Sequence, residues 1–186
     1  MGQYFCAVLQ NADERKVVWP NGLKLMEHSW VGNSFMARVC KYIQEHGYAH
    51  VAWMGDYAKS ESLAEGFFDE HKTKMLLDMY EASWTADHED QIDSADEWEY
   101  RYGGYWLLNM DKNECIYVNK KNRDWTVHPL APLTCSNPGS GGNYHPHSGE
   151  EDEKYFCSWC GDKIGFRKTK PRNCKVLNKD MFYENW

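Results

Sequence analysis

Three groups of residues in this chain have types and spacings that could do chemistry. Cys157-Ser158-Trp159-Cys160-Gly161 sets two thiols three positions apart with a glycine after the second, the shape of a zinc knuckle. Zinc needs two more ligands, and Cys135, Cys174, His145 and His147 are the candidates. A single Cys-x-x-Cys is a weak signal, and cysteines without a metal are ordinarily small buried apolar residues. No cofactor is therefore expected, with zinc the one left open. The second group is Asp56 and Asp162, each closing a Trp-x-Gly-Asp tetrapeptide (Trp53 to Asp56 and Trp159 to Asp162). Two carboxylates could bind a metal or act as a general base. Gly-Asp after a strand is also ordinary turn chemistry, with the carboxylate capping backbone N–H groups, and that reading is preferred. The third is His28, between Glu27 and Trp30 and just ahead of Gly32-Asn33. It would lie before a helix N-terminus, where anions bind. The commoner state of such an imidazole is buried and satisfied.

The elements that must position these residues follow from pattern. Gln3 to Leu9 and Lys16 to Trp19 read as strands around a turn. Met36, Val39, Cys40 and Ile43 recur on one helix face, with Asn33 or Ser34 as cap and Gly47 as terminator. Ala49 to Trp53 reads as a strand. A second helix is expected from Ser60 through Leu63, Phe67, Phe68, Met75, Leu76 and Met79, with acids on its outer face. Tyr105 to Met110 and Glu114 to Val118 form a hairpin, Trp125 to His128 a third strand, and Tyr155 to Trp159 and Lys163 to Phe166 two more. The matching features lie about 100 residues apart, which reads as two copies of one unit. The expected fold is α+β, mainly antiparallel strands in two related halves with helices between and around them. Its divisions are 1–59, an acidic helical connector at 60–102, and a β-rich 103–186 with a Gly-rich loop and basic tail.

Composition narrows the function classes. The 186 residues can bury a core without disulfides, and nine Trp and twelve Tyr argue against disorder. No apolar run approaches the ~20 residues needed to cross a bilayer. The first residues lack an export signal, so seven scattered cysteines are expected as reduced thiols in a cytoplasm. The net charge of −7 is uneven. Residues 61–99 hold thirteen acids against two lysines, whereas 163–179 hold seven bases and no acid. Trp84, Asp87, Glu89, Asp90, Asp93 and Trp98 in the first stretch, and Lys168 and Arg172 in the second, are the candidate binding residues. Gly139 to Gly142 lacks the Lys-Ser/Thr of a phosphate loop, and no hydrolase, zincin or dinucleotide motif is present. No RNA- or DNA-binding signature accompanies the basic segment, so direct nucleic-acid binding is not expected.

Met1-Gly2-Gln3-Tyr4, Gly22-Leu23-Lys24-Leu25-Met26-Glu27-His28-Ser29 and the two Trp-x-Gly-Asp motifs resemble a group of uncharacterised bacterial and bacteriophage proteins. Leu108 to Lys112 and His128-Pro129-Leu130 are similar to that group too. Ser140, where the group carries Arg, and Cys160, where it carries Ala, depart from the pattern. The resemblance implies a phage or prophage setting and no reaction. The leading expectation is a cytosolic accessory protein that binds another protein, as an inhibitor of a host defence nuclease such as a CRISPR effector. Its acids would imitate a phosphate backbone in the nuclease's groove. The alternative is a small enzyme or nucleotide- or phosphate-binding protein with a pocket around His28, Asp56, Asp162 and His128.

Overall fold

A computed structural model describes residues 3–12, 14–20, 22–61, 63, 68–85, 92–120, 126–136 and 154–178. Its centre is one seven-stranded sheet. The strands are β1 (Phe5–Asn11), β2 (Glu14–Val18), β3 (Tyr48–Gly55), β4 (Tyr105–Asn109), β5 (Glu114–Val118), β6 (Lys163–Arg167) and β7 (Lys175–Val176). Their order is β2-β1-β3-β6-β4-β5-β7, and every pairing but β5 with β7 is antiparallel. The protein is thus an α+β fold, as its pattern predicts.

Apart from β7 at one edge, the order is symmetric about the junction of β3 and β6. A hairpin, β1–β2, receives β3 on its inner edge, and a second hairpin, β4–β5, receives β6 the same way. The units join where β3 meets β6, with Tyr48 opposite Gly165 and His50 opposite Lys163. The divisions read along the chain are therefore not divisions of the core. One apolar cluster runs from Phe5 and Leu9 through Trp53 to Tyr105, Ile116 and Ile164.

The symmetry does not extend to the repeated tetrapeptide. Trp53-Met54-Gly55 forms the end of β3, whereas Trp159-Cys160-Gly161 lies in a turn that precedes β6. The strand expected at Tyr155 to Trp159 is absent for a local reason. Cys157 and Gly161 take left-handed φ of 58° and 73°, which no strand accommodates. The two glycines also serve different ends. A Cβ at Gly55 would fall 2.1 Å from the Gln3 side chain, whereas one at Gly161 would meet Met75 and Leu76 on the overlying helix.

Among the described residues five helices flank the sheet: α1 (Leu25–His28), α2 (Ser34–His46), α3 (Ala58–Glu61), α4 (Glu70–Thr85) and α5 (Leu130–Thr134). The Asn33 side chain accepts from Phe35 and Met36 N–H and starts α2, and Gly47 ends it at φ 78°. α2 seals one sheet face with Val39, Cys40 and Ile43. α4 seals the other over its β1–β3 half, with Leu76 and Met79 clustered with Cys6, Val8, Val17, Ala52 and Met54. The single helix expected from Ser60 is two: α4 begins at Glu70, where the Asp69 carboxylate accepts the Lys72 N–H. Of the third strand expected at Trp125 to His128, the described part makes one bridge, Val127 to Trp30. No described helix is long and apolar enough to cross a membrane.

Candidate functional site

His28 is held where α1 meets the core, fully buried. Trp53 Nε1–H donates to its Nε2 at 3.0 Å, and Phe35 meets the ring edge-on. That bond fixes the proton on Nδ1, which is turned toward the Lys24 carbonyl without completing a hydrogen bond. Burial pushes the imidazole pKa down to about 4, against a smaller raising effect of that carbonyl. His28 is a neutral core residue whose lone pair is occupied. The expectation of an anion site ahead of α2 is corrected: α1 and the core enclose the ring instead.

His128 is enclosed in the same way. Its Nδ1 accepts from the Leu130 N–H at 3.2 Å, so Nε2 carries the proton toward the Tyr105 hydroxyl at 2.7 Å. Cys40 Sγ lies 3.6 Å from the same nitrogen. A thiol beside an imidazole invites comparison with a nucleophilic pair. Burial opposes it on both sides, raising the Cys40 thiol to about 12 and lowering His128 to about 3. At neutral pH the pair is a thiol and a neutral imidazole, and thiolate is the reactive form.

The two aspartates are not brought together. Asp56 and Tyr4 exchange hydrogen bonds, Asp56 N–H to the Tyr4 carbonyl and Tyr4 N–H to Asp56 Oδ1, as turn chemistry predicts. Asp162 lies beside Val51, whose N–H donates to the Asp162 carbonyl. Five residues of strand separate that point from Asp56, roughly 16 Å. His28 joins neither, so the expected pocket around His28, Asp56 and Asp162 does not form.

Asp162 nonetheless has the most developed polar environment among the described residues. It is 5% exposed. It accepts from Lys72 Nζ at 2.5 Å and Asn109 Nδ2 at 2.8 Å, and Lys112 Nζ is 3.0 Å away. Burial alone would raise its pKa, but the Lys72 and Asn109 hydrogen bonds and the lysine charges outweigh that and hold it below the usual range. An open cleft of about 380 Å³ adjoins, lined by Phe68, Asp69, Lys72, Lys112, Phe156, Cys157 and Ser158. Both its lysines are engaged by Asp162, so the cleft offers an anion little unpaired charge.

The cysteines divide differently from expectation. Cys115 and Cys174 form a disulfide, with Cα atoms 6.1 Å apart. Reduced thiols were expected throughout, and Cys174 was a metal candidate. Both readings are corrected, because the parallel pairing of β7 along β5 brings the two together. Cys157 and Cys160 remain thiols and are not bonded to each other. Cys135 Sγ lies 3.0 Å from Cys157 Sγ, an α5-to-turn contact that spacing could not reveal. Cys160 packs in the α4 cluster, where burial drives its pKa far up. Among the described residues no group of three or more His, Cys, Asp or Glu could hold a metal ion. His145 and His147 lie outside the described residues.

The candidate binding residues also separate. Trp84 is 38% exposed and stands edge-on to Trp19, with centroids 4.8 Å apart. Trp98 is not a surface ring: its Nε1–H donates to Gln44 Oε1 at 2.6 Å, and it packs on Tyr100, Tyr105 and Phe166. Asp93 is exposed, and Asp87, Glu89 and Asp90 lie outside the described residues. The described acids beyond α4, Asp93, Asp96, Glu97 and Glu99, are not displayed on a helix, since residues 92–99 form irregular backbone. Lys168 pairs with Glu99 at 3.3 Å above the Tyr100 ring, and Arg172 is exposed. Comparison with protein-family models, curated proteins and solved structures finds no match.

Proposed function

We propose that the protein acts by binding another macromolecule through its surface, as a phage- or prophage-type accessory protein that inhibits a host nucleic-acid-processing defence system. The observation behind this reading is the placement of charge. The candidate catalytic imidazoles are enclosed in the core, whereas Asp93, Asp96, Glu97 and Glu99 stand on the surface. Of these, Asp96, Glu97 and Glu99 line an open groove of about 670 Å³ with Lys41, Ser94 and Trp98. Trp98, pinned by Gln44, holds this acidic segment against α2. Carboxylates fixed on a surface can occupy a basic groove that normally takes a phosphate backbone. A cytoplasmic location is part of the proposal, and the Cys115–Cys174 disulfide is the observation that weighs against it.

The test is binding to purified RNA-guided nuclease complexes at low salt, with duplex DNA as competitor. The expected result is saturable binding that DNA displaces and that weakens at least tenfold in the double variant Asp93→Lys, Glu97→Lys. Binding unchanged by these reversals, or no binding to any such complex, overturns the reading.

A further inference from the structure

The described residues cover the two sheet faces unequally. α4 packs on β1 and β3, and the residues of β4, β5 and β6 that point to the same side belong to neither apolar cluster; of them Cys115 is fully buried in its disulfide. Register shows what that half-face presents. Tyr48, Gly165 and Leu108 form one row across β3, β6 and β4; Arg167, Trp106 and Tyr117 form the next; His50 and Lys163 flank them. Trp106 and Tyr117 are a cross-strand ring pair with centroids 5.1 Å apart. Lys163 Nζ lies 3.7 Å from the Tyr48 ring centre, and Lys170 Nζ 5.8 Å from that of Trp106. Gly165, itself buried, carries no side chain between Tyr48 and Leu108, where a Cβ would meet the Met110 thioether at 3.5 Å and the Gly47 carbonyl oxygen at 3.6 Å. None of the strand positions on this half-face carries a carboxylate. The acidic groove lies on the opposite side, where α2 packs.

We propose that this half-face binds single-stranded nucleic acid. Planar rings on a sheet face, interleaved with cations, match a polymer whose bases stack and whose backbone is anionic. Stacking explains the rings, and charge complementarity explains the cations around them. An acidic peptide would satisfy the cations but has no use for a row of rings. No single segment signals direct nucleic-acid contact, because Tyr48, Trp106, Tyr117, Lys163 and Arg167 lie on four different strands. Only their register puts them on one face. The proposal is independent of the acidic-groove reading, and its variants lie on the other side of the sheet.

The test titrates the full-length protein into a fluorescently labelled oligothymidine of about 12 nucleotides, within the site sizes usual for such surfaces. Saturable binding at low salt is expected. Trp106→Ala and Tyr117→Ala should each weaken it roughly tenfold, and Arg167→Ala should lower the slope of log affinity against log salt by about 1. Lys170→Glu, at an exposed position, should weaken it without disturbing the fold. Absence of saturable binding at low salt would sink the proposal. So would equal affinity in Lys170→Glu, or equally tight binding of polyglutamate. Concentration-dependent self-association abolished by Trp106→Ala would overturn it in favour of a second copy of the chain as the occupant.

Discussion

The two units of the sheet solve the same problem with different residues. Each buries a neutral histidine against a large aromatic: His28 takes a proton donor from Trp53, and His128 gives its own proton to Tyr105. Each also carries a Trp-x-Gly-Asp, yet the tetrapeptides do unlike work. Trp53 ends a strand and reaches His28, whereas Trp159 sits in a turn and donates to Glu114 at 2.9 Å. Asp56 caps the Tyr4 backbone at the surface, whereas Asp162 is buried under Lys72 and Lys112. The same Trp-x-Gly-Asp pattern thus meets different surroundings, because one copy ends a strand and the other precedes one. What recurs between the units is the strand arrangement and the buried imidazole, not the role of the motif.

The largest effect that would sharpen this comparison is acid destabilisation. Both histidines have folded pKa values below the ~6.5 of an unfolded chain, about 4 for His28 and about 3 for His128. The unfolded state therefore binds protons first as pH falls. Stability is complete above ~6.5 and declines by about 1.4 kcal/mol per pH unit for each histidine. Urea unfolding at pH 7 and pH 5 should differ by roughly 3–4 kcal/mol on that basis. In His28→Gln or His128→Gln the slope should fall by about half. A slope that both variants leave intact would show that the units do not share this feature. Asp162 adds its own loss only lower, below the ordinary carboxylate range. Its folded pKa is depressed, so its contribution is present above the unfolded value and fades as pH drops beneath it.

The two aspartates should separate next. Asp162→Ala leaves Lys72 and the fully buried Asn109 without their acceptor, and a loss of about 3 kcal/mol is expected from breaking a buried pair. Asp56→Ala removes one cap of the Tyr4 N–H and should cost about 1 kcal/mol. Equal losses in chemical denaturation would break the contrast between the two copies. The smallest effect belongs to Lys112→Met. Its side chain is 41% exposed, so water screens its pairing with Asp162, and about 0.5 kcal/mol or less is expected. A larger loss would mean that Lys112 matters through the Ser158 carbonyl, to which it also donates.

Much of the framework was legible in local pattern. The aromatic and β-branched run of β1, the β4–β5 hairpin with its turn at Asp111 to Asn113, the Asn33 cap and the Gly47 stop depend on neighbours a few residues away. Those preferences act wherever the segment sits. The turn role of Asp56 was legible for the same reason. The turn at Tyr155 to Trp159 was not, because an aromatic run reads as strand unless the left-handed residue Cys157 is known in advance.

The sequence by itself determined that this chain is α+β, that two hairpin units recur along it, and that its charge is split between an acidic stretch and a basic one. The tertiary structure alone decided that β3 and β6 join the units into one sheet. It also decided that His28 and His128 are enclosed, and that Cys174 pairs with Cys115 instead of joining a metal set. The physical reason is range. Secondary structure follows from torsional preference and periodicity within a few residues, but a site is made by groups 25 to 111 positions apart, as in His28 with Trp53 or His50 with Gly161. Which of those meet depends on strand register and on which half of each face a helix covers, and neither is written in any one segment.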